Sequence, residues 1–365
     1  MASSDAARRY ARIRYRLMLI ELVGWVGFLG TYQASGFSGA TAHWVSTVTT
    51  MEALRVGGYV AVFGACAYLV FFPIHLYGGL LLEHRFDLSR LSLKGWLVRE
   101  AKQLAVSAVL GLLLVESLYA VLRHVPTRWP VLAAMGWVGF SVVLARIFPT
   151  WLLPIFYKTS PVGDASLAQR LLALCERARL SALGVFRVDL GVETRKANAA
   201  LAGFGRTRRV LVSDTLLERF SPEEIETVLA HELGHQRHRH IAKFLVLSGL
   251  GSLLAFMIVD RVSGVWLKPF GLQGLADIAG FPLVMLVLAL IGLAGLPLQN
   301  GISRYFEWQA DRFAVRLTQR PSAFGGALRK LGELNLADPD PPRWVVWLFY
   351  DHPPLPQRIA AAEQS

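Results

Sequence analysis

Three observations predict an all-α integral membrane protein with one small α+β insertion. Of the 365 residues, 54% are hydrophobic and only 18% charged, where soluble domains carry about 25% charge. About six stretches are apolar enough to cross a bilayer. One polar segment, from about Lys158 to Lys243, is long enough to fold outside it. The mean hydropathy of +0.42 agrees. The net charge of +12 does not imply nucleic acid, because Lys and Arg gather on the cytoplasmic side of membrane chains. The lipid bilayer is the expected partner, and no nucleic acid is. Two cysteines, Cys66 and Cys175, build neither a disulfide framework nor a thiolate metal site.

The first span, Leu17 to Tyr32, follows Arg8, Arg9, Arg12, Arg14 and Arg16 and precedes Ala34, Ser35 and Gly36. A cleaved signal peptide is the competing reading, but the apolar run matches or exceeds an ordinary signal core. The second span, Tyr59 to Leu82, leads into Arg85, Arg90, Lys94, Arg99 and Lys102. Leu104 to Leu122, Val131 to Phe156, Phe244 to Val259 and Phe281 to Leu298 complete the set. Alternate loops are poorer in positive charge, with Arg55, then Arg123 and Arg128, then Arg261 and Lys268. An even number of spans with that bias places both termini and the polar segment in the cytoplasm. Glu21, Glu116 and Arg146 fall inside spans, where they face a polar interior or, for Glu116 and Arg146, pair with each other. The expected units are 1–157 with about four spans, 158–243 as the cytoplasmic domain, 244–300 with two spans, and 301–365 as a C-terminal segment that completes the site.

Within the polar segment, Ala165 to Leu180 reads as an amphipathic helix. Val185 to Val192 and Arg209 to Ser213 read as strands, with turns around Gly203 and Gly205. Ser221-Pro222-Glu223-Glu224 combines an N-cap, a proline suited to the first helical position and a capping box. The helix that starts there continues toward or into the membrane. It carries His231-Glu232-Leu233-Gly234-His235, whose i, i+4 histidines share a face and form half a zinc site. A solvated His-rich turn with His238 and His240 is the bland alternative. On a continuous helix His240 lies on the opposite face, and His238 sits roughly 10 Å further along. Neither completes the site, and His238 and Ile241 stand where metzincins continue their motif.

The third ligand is therefore remote, and Glu307, in Arg304-Tyr305-Phe306-Glu307-Trp308-Gln309-Ala310-Asp311, is the best candidate. The chain crosses the membrane out and back after His235, which returns Glu307 to the same side. Asp311, four residues on, can hold a ligating imidazole by its other ring nitrogen. The plain alternative for both acids is a charged helix end. Two His and one Glu leave a fourth position open for water, the catalytic arrangement for one Zn2+ per chain. Glu232 is then the general base, and peptide hydrolysis the reaction.

These motifs, together with Leu82-Glu83-His84-Arg85-Phe86-Asp87-Leu88-Ser89 and the tail Asp351-His352-Pro353-Pro354-Leu355-Pro356-Gln357-Arg358-Ile359, occur as an ordered set. Over most of the chain after about Tyr59 they resemble the membrane zinc metalloproteases of family M48, CAAX prenyl protease 1 type. The resemblance implies helices enclosing a chamber, a gluzincin site at its cytoplasmic end and a peptide or protein substrate, prenylated in the strict CAAX role. It supports His231, His235 and Glu307 as ligands and Glu232 as base. It also points to Asn198 as a substrate-backbone contact on an edge strand and to His352 as an oxyanion donor. Arg358 becomes a structural or substrate-binding cation. Read alone, Asn198 is a turn residue and His352 a loop residue before proline.

The chain departs from those relatives in having about six spans rather than seven. Its Arg-over-Lys bias suits a G+C-rich bacterial genome, hence a bacterial inner membrane, and membrane quality control without a prenyl requirement is the alternative role. A site-2-type intramembrane protease is disfavoured by the polar neighbours Glu223, Glu224, Glu226, Arg237 and Arg239. A non-enzymatic transporter or lipid- or peptide-binding chamber is disfavoured by the intact Glu232. No feature sets the oligomeric state.

Overall fold

The computed structural model describes residues 2–203 and 208–364. Six of its helical stretches are long and apolar enough to cross a membrane: Asp5–Ala34, Glu52–Arg85, Leu93–His124, Trp129–Phe156, His240–Trp266 and Ile278–Thr318. They belong to helices α1 (Ala2–Ala34), α3 (Glu52–Leu76), α5 (Leu93–His124), α6 (Trp129–Ile147), α11 (His240–Trp266) and α12 (Phe281–Thr318). A short α2 (Phe37–Val48) lies between the first two. π-helical turns at Tyr77–Leu81 and Phe148–Leu152 carry the second and fourth spans on into α4 (Leu82–Arg85) and α7 (Leu153–Phe156). Val23, Leu69, Val109 and Val265 are each more than two-thirds exposed. In the most apolar window of α11, mean hydropathy 2.1, no residue is buried in protein. That surface is covered by lipid, since helices keep every backbone group satisfied there.

Away from the polar unit the spans close on an aromatic core of Tyr59, Phe63, Tyr119, Trp129 and Phe281. Its polar handles are paired: the Ser38 hydroxyl lies 2.6 Å from the Tyr59 hydroxyl and donates to the Ala279 carbonyl at 2.6 Å. A cavity of about 480 Å³ between α1, α3, α5 and the polar unit is lined by Arg14, Glu21, His75, Trp96, Glu100 and Lys196. Glu21 thus faces a polar interior. Glu116 lies against Gly57, and among the described residues no ion pair joins it to Arg146.

The polar unit packs α8 (Ala165–Arg177), α10 (Pro222–Arg237), the C-terminal half of α12, α13 (Pro321–Leu334) and α15 (Leu355–Glu363) around Leu171, Leu229, Leu233, Ala314, Phe324 and Leu328. Residues after 301 and residues before 243 therefore share one core. A four-stranded sheet flanks it, with β1 (Thr159–Pro161), β2 (Val185–Val188), β3 (Ala199–Ala202) and β4 (Arg209–Ser213) in the order β1-β2-β4-β3. β2 and β4 run parallel, and the other pairs are antiparallel. β3 is a free edge. The start of α1 lies at this end too, since Tyr15 donates to Asp338 at 2.9 Å.

Two readings of the polar unit are corrected. β2 stops at Val188 rather than Val192, because the Asp214 carboxylate takes the Leu190 and Gly191 amides at 3.0 and 2.8 Å and turns the chain. The expected turn holds at Gly203, where φ is 98°; Gly205 lies outside the described residues. α12 carries the sixth span on past Leu298, unbroken through Pro297, to Thr318. Finally, α10 does not continue into the membrane: it ends at Arg237, Arg239 adopts the left-handed conformation at φ 54°, and α11 starts afresh at His240.

Candidate metal centre

The capping box forms as its spacing dictates. Ser221 Oγ accepts from the Glu224 amide at 3.2 Å, and Glu224 Oε2 accepts from the Ser221 amide at 2.8 Å. This fixes the start of α10 and hence which face carries His231 and His235 two turns later. That face meets α12 at very close range. A Cβ on Gly234 would stand 2.9 Å from Ala310 Cα, so the helices approach as only glycine permits. One turn before Ala310 on α12 is Glu307, and directly after it Asp311.

The close approach brings three ligand side chains together. His231 Nε2 lies 3.1 Å from His235 Nε2 and 3.3 Å from Glu307 Oε2, while His235 Nε2 lies 3.2 Å from Glu307 Oε1. Ligands placed tetrahedrally around an ion at about 2.0 to 2.1 Å are separated by about 3.3 to 3.4 Å. The outward nitrogens of both rings are already committed, His231 Nδ1 to Asp311 Oδ1 at 2.8 Å and His235 Nδ1 to His240 Nδ1 at 2.9 Å. With their protons on Nδ1, both Nε2 atoms turn lone pairs toward the carboxylate and toward each other. Glu307 Oε2 is buried without a hydrogen-bond partner. Only a cation satisfies three such acceptors, and the residues fit a metal. Burial opposes charge on His231, but Asp311 and Glu307 outweigh it and raise the ring's pKa to about 9.

Around the three donors stand the other expected residues. Glu232, between the histidines, is half-exposed and has no hydrogen-bond partner among the described side chains, so its carboxylate is free for solvent. Arg358, 7% exposed, grips Asp311 with Nε to Oδ2 at 2.8 Å and Nη2 to Oδ1 at 2.6 Å. Its Nη2 is also 3.6 Å from Glu307 Oε2. The guanidinium sits behind the ligands with its hydrogen bonds committed to the Asp311 carboxylate. His352 is exposed beside the ligands, with Nε2 3.3 Å from Glu307 Oε1 and Nδ1 2.8 Å from Asp351 Oδ1.

Asn198 directly precedes the free edge strand. Its carbonyl accepts the Ser213 amide at 2.9 Å and its amide donates to Ser213 Oγ at 3.0 Å; the side chain is exposed. Because Asn198 and Ser213 form a hydrogen-bonded pair, Ala199 and Leu201 turn their N–H and C=O groups away from β4, toward the open edge. Three residues escaped sequence reasoning: His240, Gln309 and Asp351. A helix assumed continuous through position 240 hides the first two. Asp351 was legible as the acid next to His352.

A family model described as peptidase family M48 matches residues 161–365. A second, described as the CAAX prenyl protease N-terminal region with five membrane helices, matches residues 2–158, where this chain has four candidate spans and the short α2. An uncharacterized metalloprotease, YhfN, of Bacillus subtilis is 27% identical, covering 98% of this chain and 85% of that protein. A CAAX prenyl protease 1 homolog of Oryza sativa is 29% identical over 80% of this chain and 69% of its own length. CAAX prenyl protease 1 of Saccharomyces cerevisiae is 25% identical over 88% and 74%. The crystal structure of S. mikatae Ste24p superposes with a TM-score of 0.89 at 22% identity, covering 99% of this chain and 89% of that one, and so shares the fold.

Proposed function

The chain belongs to peptidase family M48 and is a membrane metalloendopeptidase of the CAAX prenyl protease type; from that premise we propose that its metal is one zinc ion held by His231, His235 and Glu307. The observation that carries this is the meeting of His231 Nε2, His235 Nε2 and the two oxygens of the Glu307 carboxylate at contacts of 3.1 to 3.3 Å. Nitrogen and carboxylate donors in a small tetrahedral set suit zinc rather than magnesium or calcium, which want six or more oxygens. Bound there, zinc polarises the scissile carbonyl and lowers the pKa of water.

The chain's own groups do the rest. Glu232 takes the proton of the attacking water and passes it toward the leaving amine. His352, held by Asp351, donates from Nε2 to the carbonyl oxygen as that oxygen gains charge. Asp311 fixes the His231 ring, and Arg358 fixes Asp311, a positioning role in place of a substrate contact. An extended peptide adds to β3, pairing with the outward N–H and C=O of Ala199 and Leu201, and Asn198 holds the strand's end. The positively charged stretches at the N-terminus and after the second span support a cytoplasmic site, and the excess of Arg over Lys supports a bacterial inner membrane.

The substrate we propose is a membrane-associated polypeptide whose cleavage segment is presented extended. The test compares wild type with Glu232→Ala on two fluorogenic peptides of one sequence, farnesylated or not at a C-terminal CAAX cysteine. Cleavage of the farnesylated peptide alone, lost in the variant, gives a prenyl-dependent protease. Equal cleavage of both gives the quality-control role, and cleavage undiminished in the variant removes Glu232 as base.

A further inference from the structure

The break between α10 and α11 puts a histidine where a straight helix could not. With α10 ending at Arg237 and Arg239 in the left-handed region, the chain turns back, and His240 swings from the face opposite His231 onto the ligand His235. The two Nδ1 atoms are 2.9 Å apart. On its other side His240 Nε2 lies 2.9 Å from Gln309 Oε1. The ring is 1% exposed and stacks on Phe306, with centroids 4.2 Å apart and planes within 5°. It has no freedom to choose other partners.

This chain of contacts has a direction. Gln309 Oε1 only accepts, so His240 carries its proton on Nε2 and offers a bare Nδ1. His235 must then donate from its own Nδ1, which leaves His235 Nε2 as a lone pair aimed at His231 and Glu307. Reversing the Gln309 amide would reverse each step and place a proton on the atom that has to bind metal. The two ligand histidines are thus set in different ways, His231 by the Asp311 carboxylate and His235 by a neutral imidazole backed by an amide. Gln309 stands two residues after Glu307 on α12, so the same contacts tie the end of α10 to the helix that brings the third donor.

We propose that His240, oriented by Gln309, is a positioning residue that fixes the metal-binding tautomer and ring plane of His235. The inference rests on the ligand set proposed above. Outer partners of ligating histidines are worth about 10- to 100-fold in metal affinity.

The test is zinc affinity of the purified full chain in detergent, by competition with a chromophoric chelator, which needs no turnover. His240→Phe keeps the size and the stack on Phe306 but removes the acceptor, and is expected to weaken zinc about 10- to 100-fold. His240→Asn restores an acceptor close to the Nδ1 position and is expected to recover most of the loss, which a general packing defect would not. Gln309→Leu, at a site one shell further out, should weaken zinc, and Gln309→Glu should not. Wild-type affinity in both His240→Phe and Gln309→Leu overturns this inference alone. Equal weakening by His240→Phe and His240→Asn overturns it in favour of a packing role. No zinc on the wild-type chain, or undiminished zinc in His231→Ala, overturns the ligand set and this inference with it.

Discussion

Arg358 holds Asp311 through two parallel hydrogen bonds of 2.8 and 2.6 Å, and Asp311 in turn holds His231 Nδ1 at 2.8 Å. Both members of the pair are buried, Arg358 at 7% and Asp311 at 5% exposure. Removing one partner from such a pair costs about 3 to 5 kcal/mol, because the other charge stays behind unpaired. Arg358→Ala should lower thermal stability accordingly and weaken metal binding, since the freed carboxylate no longer fixes His231. Arg358→Lys keeps the charge but not the planar fork and should fall between. If chelator competition and thermal unfolding both gave wild-type values for Arg358→Ala, the positioning role would be wrong.

The contact of Gly234 with Ala310 makes a second prediction. A methyl group at 234 meets backbone at 2.9 Å, and backbone cannot rotate aside. Gly234→Ala should cost about 1 to 3 kcal/mol by overpacking. More tellingly, it should push α10 from α12 and separate His231 and His235 from Glu307, lowering metal affinity. Gly251→Ala, where a methyl finds nothing within 4 Å, serves as control and should be neutral or slightly stabilising, as alanine is the better helix former. Comparable metal affinity in the two variants would sink the argument.

The same contact explains what was legible from sequence. Capping at Ser221 and the His231, His235 spacing are local, decided within a turn or two of helix, and the structure places them as read. Glu307 was the best remote candidate by its segment and was supported by counting membrane crossings, an argument about sides and not distances. His240 was not reached, because the left-handed Arg239 that redirects the chain has no glycine or asparagine to announce it. β3 was reached only through the resemblance that put Asn198 on an edge strand: Ala199-Ala200-Leu201-Ala202 has no β-branched residue, and its strand conformation comes from pairing with Val210 and Val212 of β4. α12 runs unbroken through Pro297, although proline removes an N–H from the helix interior.

His352 makes a prediction about pH. Burial disfavours its charged form, but the Asp351 hydrogen bond and the nearby Glu307 charge prevail, and the pKa is raised above the ordinary histidine value. A donor whose pKa is raised is present at neutral pH and is lost as pH climbs through the raised value, so His352 should set the basic limb of the pH dependence of kcat/KM. Asp351→Asn removes the larger favourable partner and should move that limb to lower pH. His352→Phe should flatten it while lowering the rate by about 10² to 10³. An unmoved basic limb in Asp351→Asn would assign the limb to another group.

At the edge strand, the outward amide of Ala199 separates substrate binding from folding. Proline at 199 deletes an N–H that the β3–β4 ladder does not use, whereas proline at 200 deletes one that it does. Ala199→Pro should therefore fold with little loss of thermal stability and retain metal, yet raise KM for an extended peptide about tenfold, the equivalent of one main-chain hydrogen bond of about 1.4 kcal/mol. Ala200→Pro should lower the unfolding temperature instead. A peptide substrate N-methylated at single positions gives the complementary reading: the position whose methylation harms wild type but adds little to Ala199→Pro is the one whose main chain meets residue 199. If Ala199→Pro left KM unchanged while Asn198→Ala raised it, the side chain of Asn198 and not the strand edge would carry recognition.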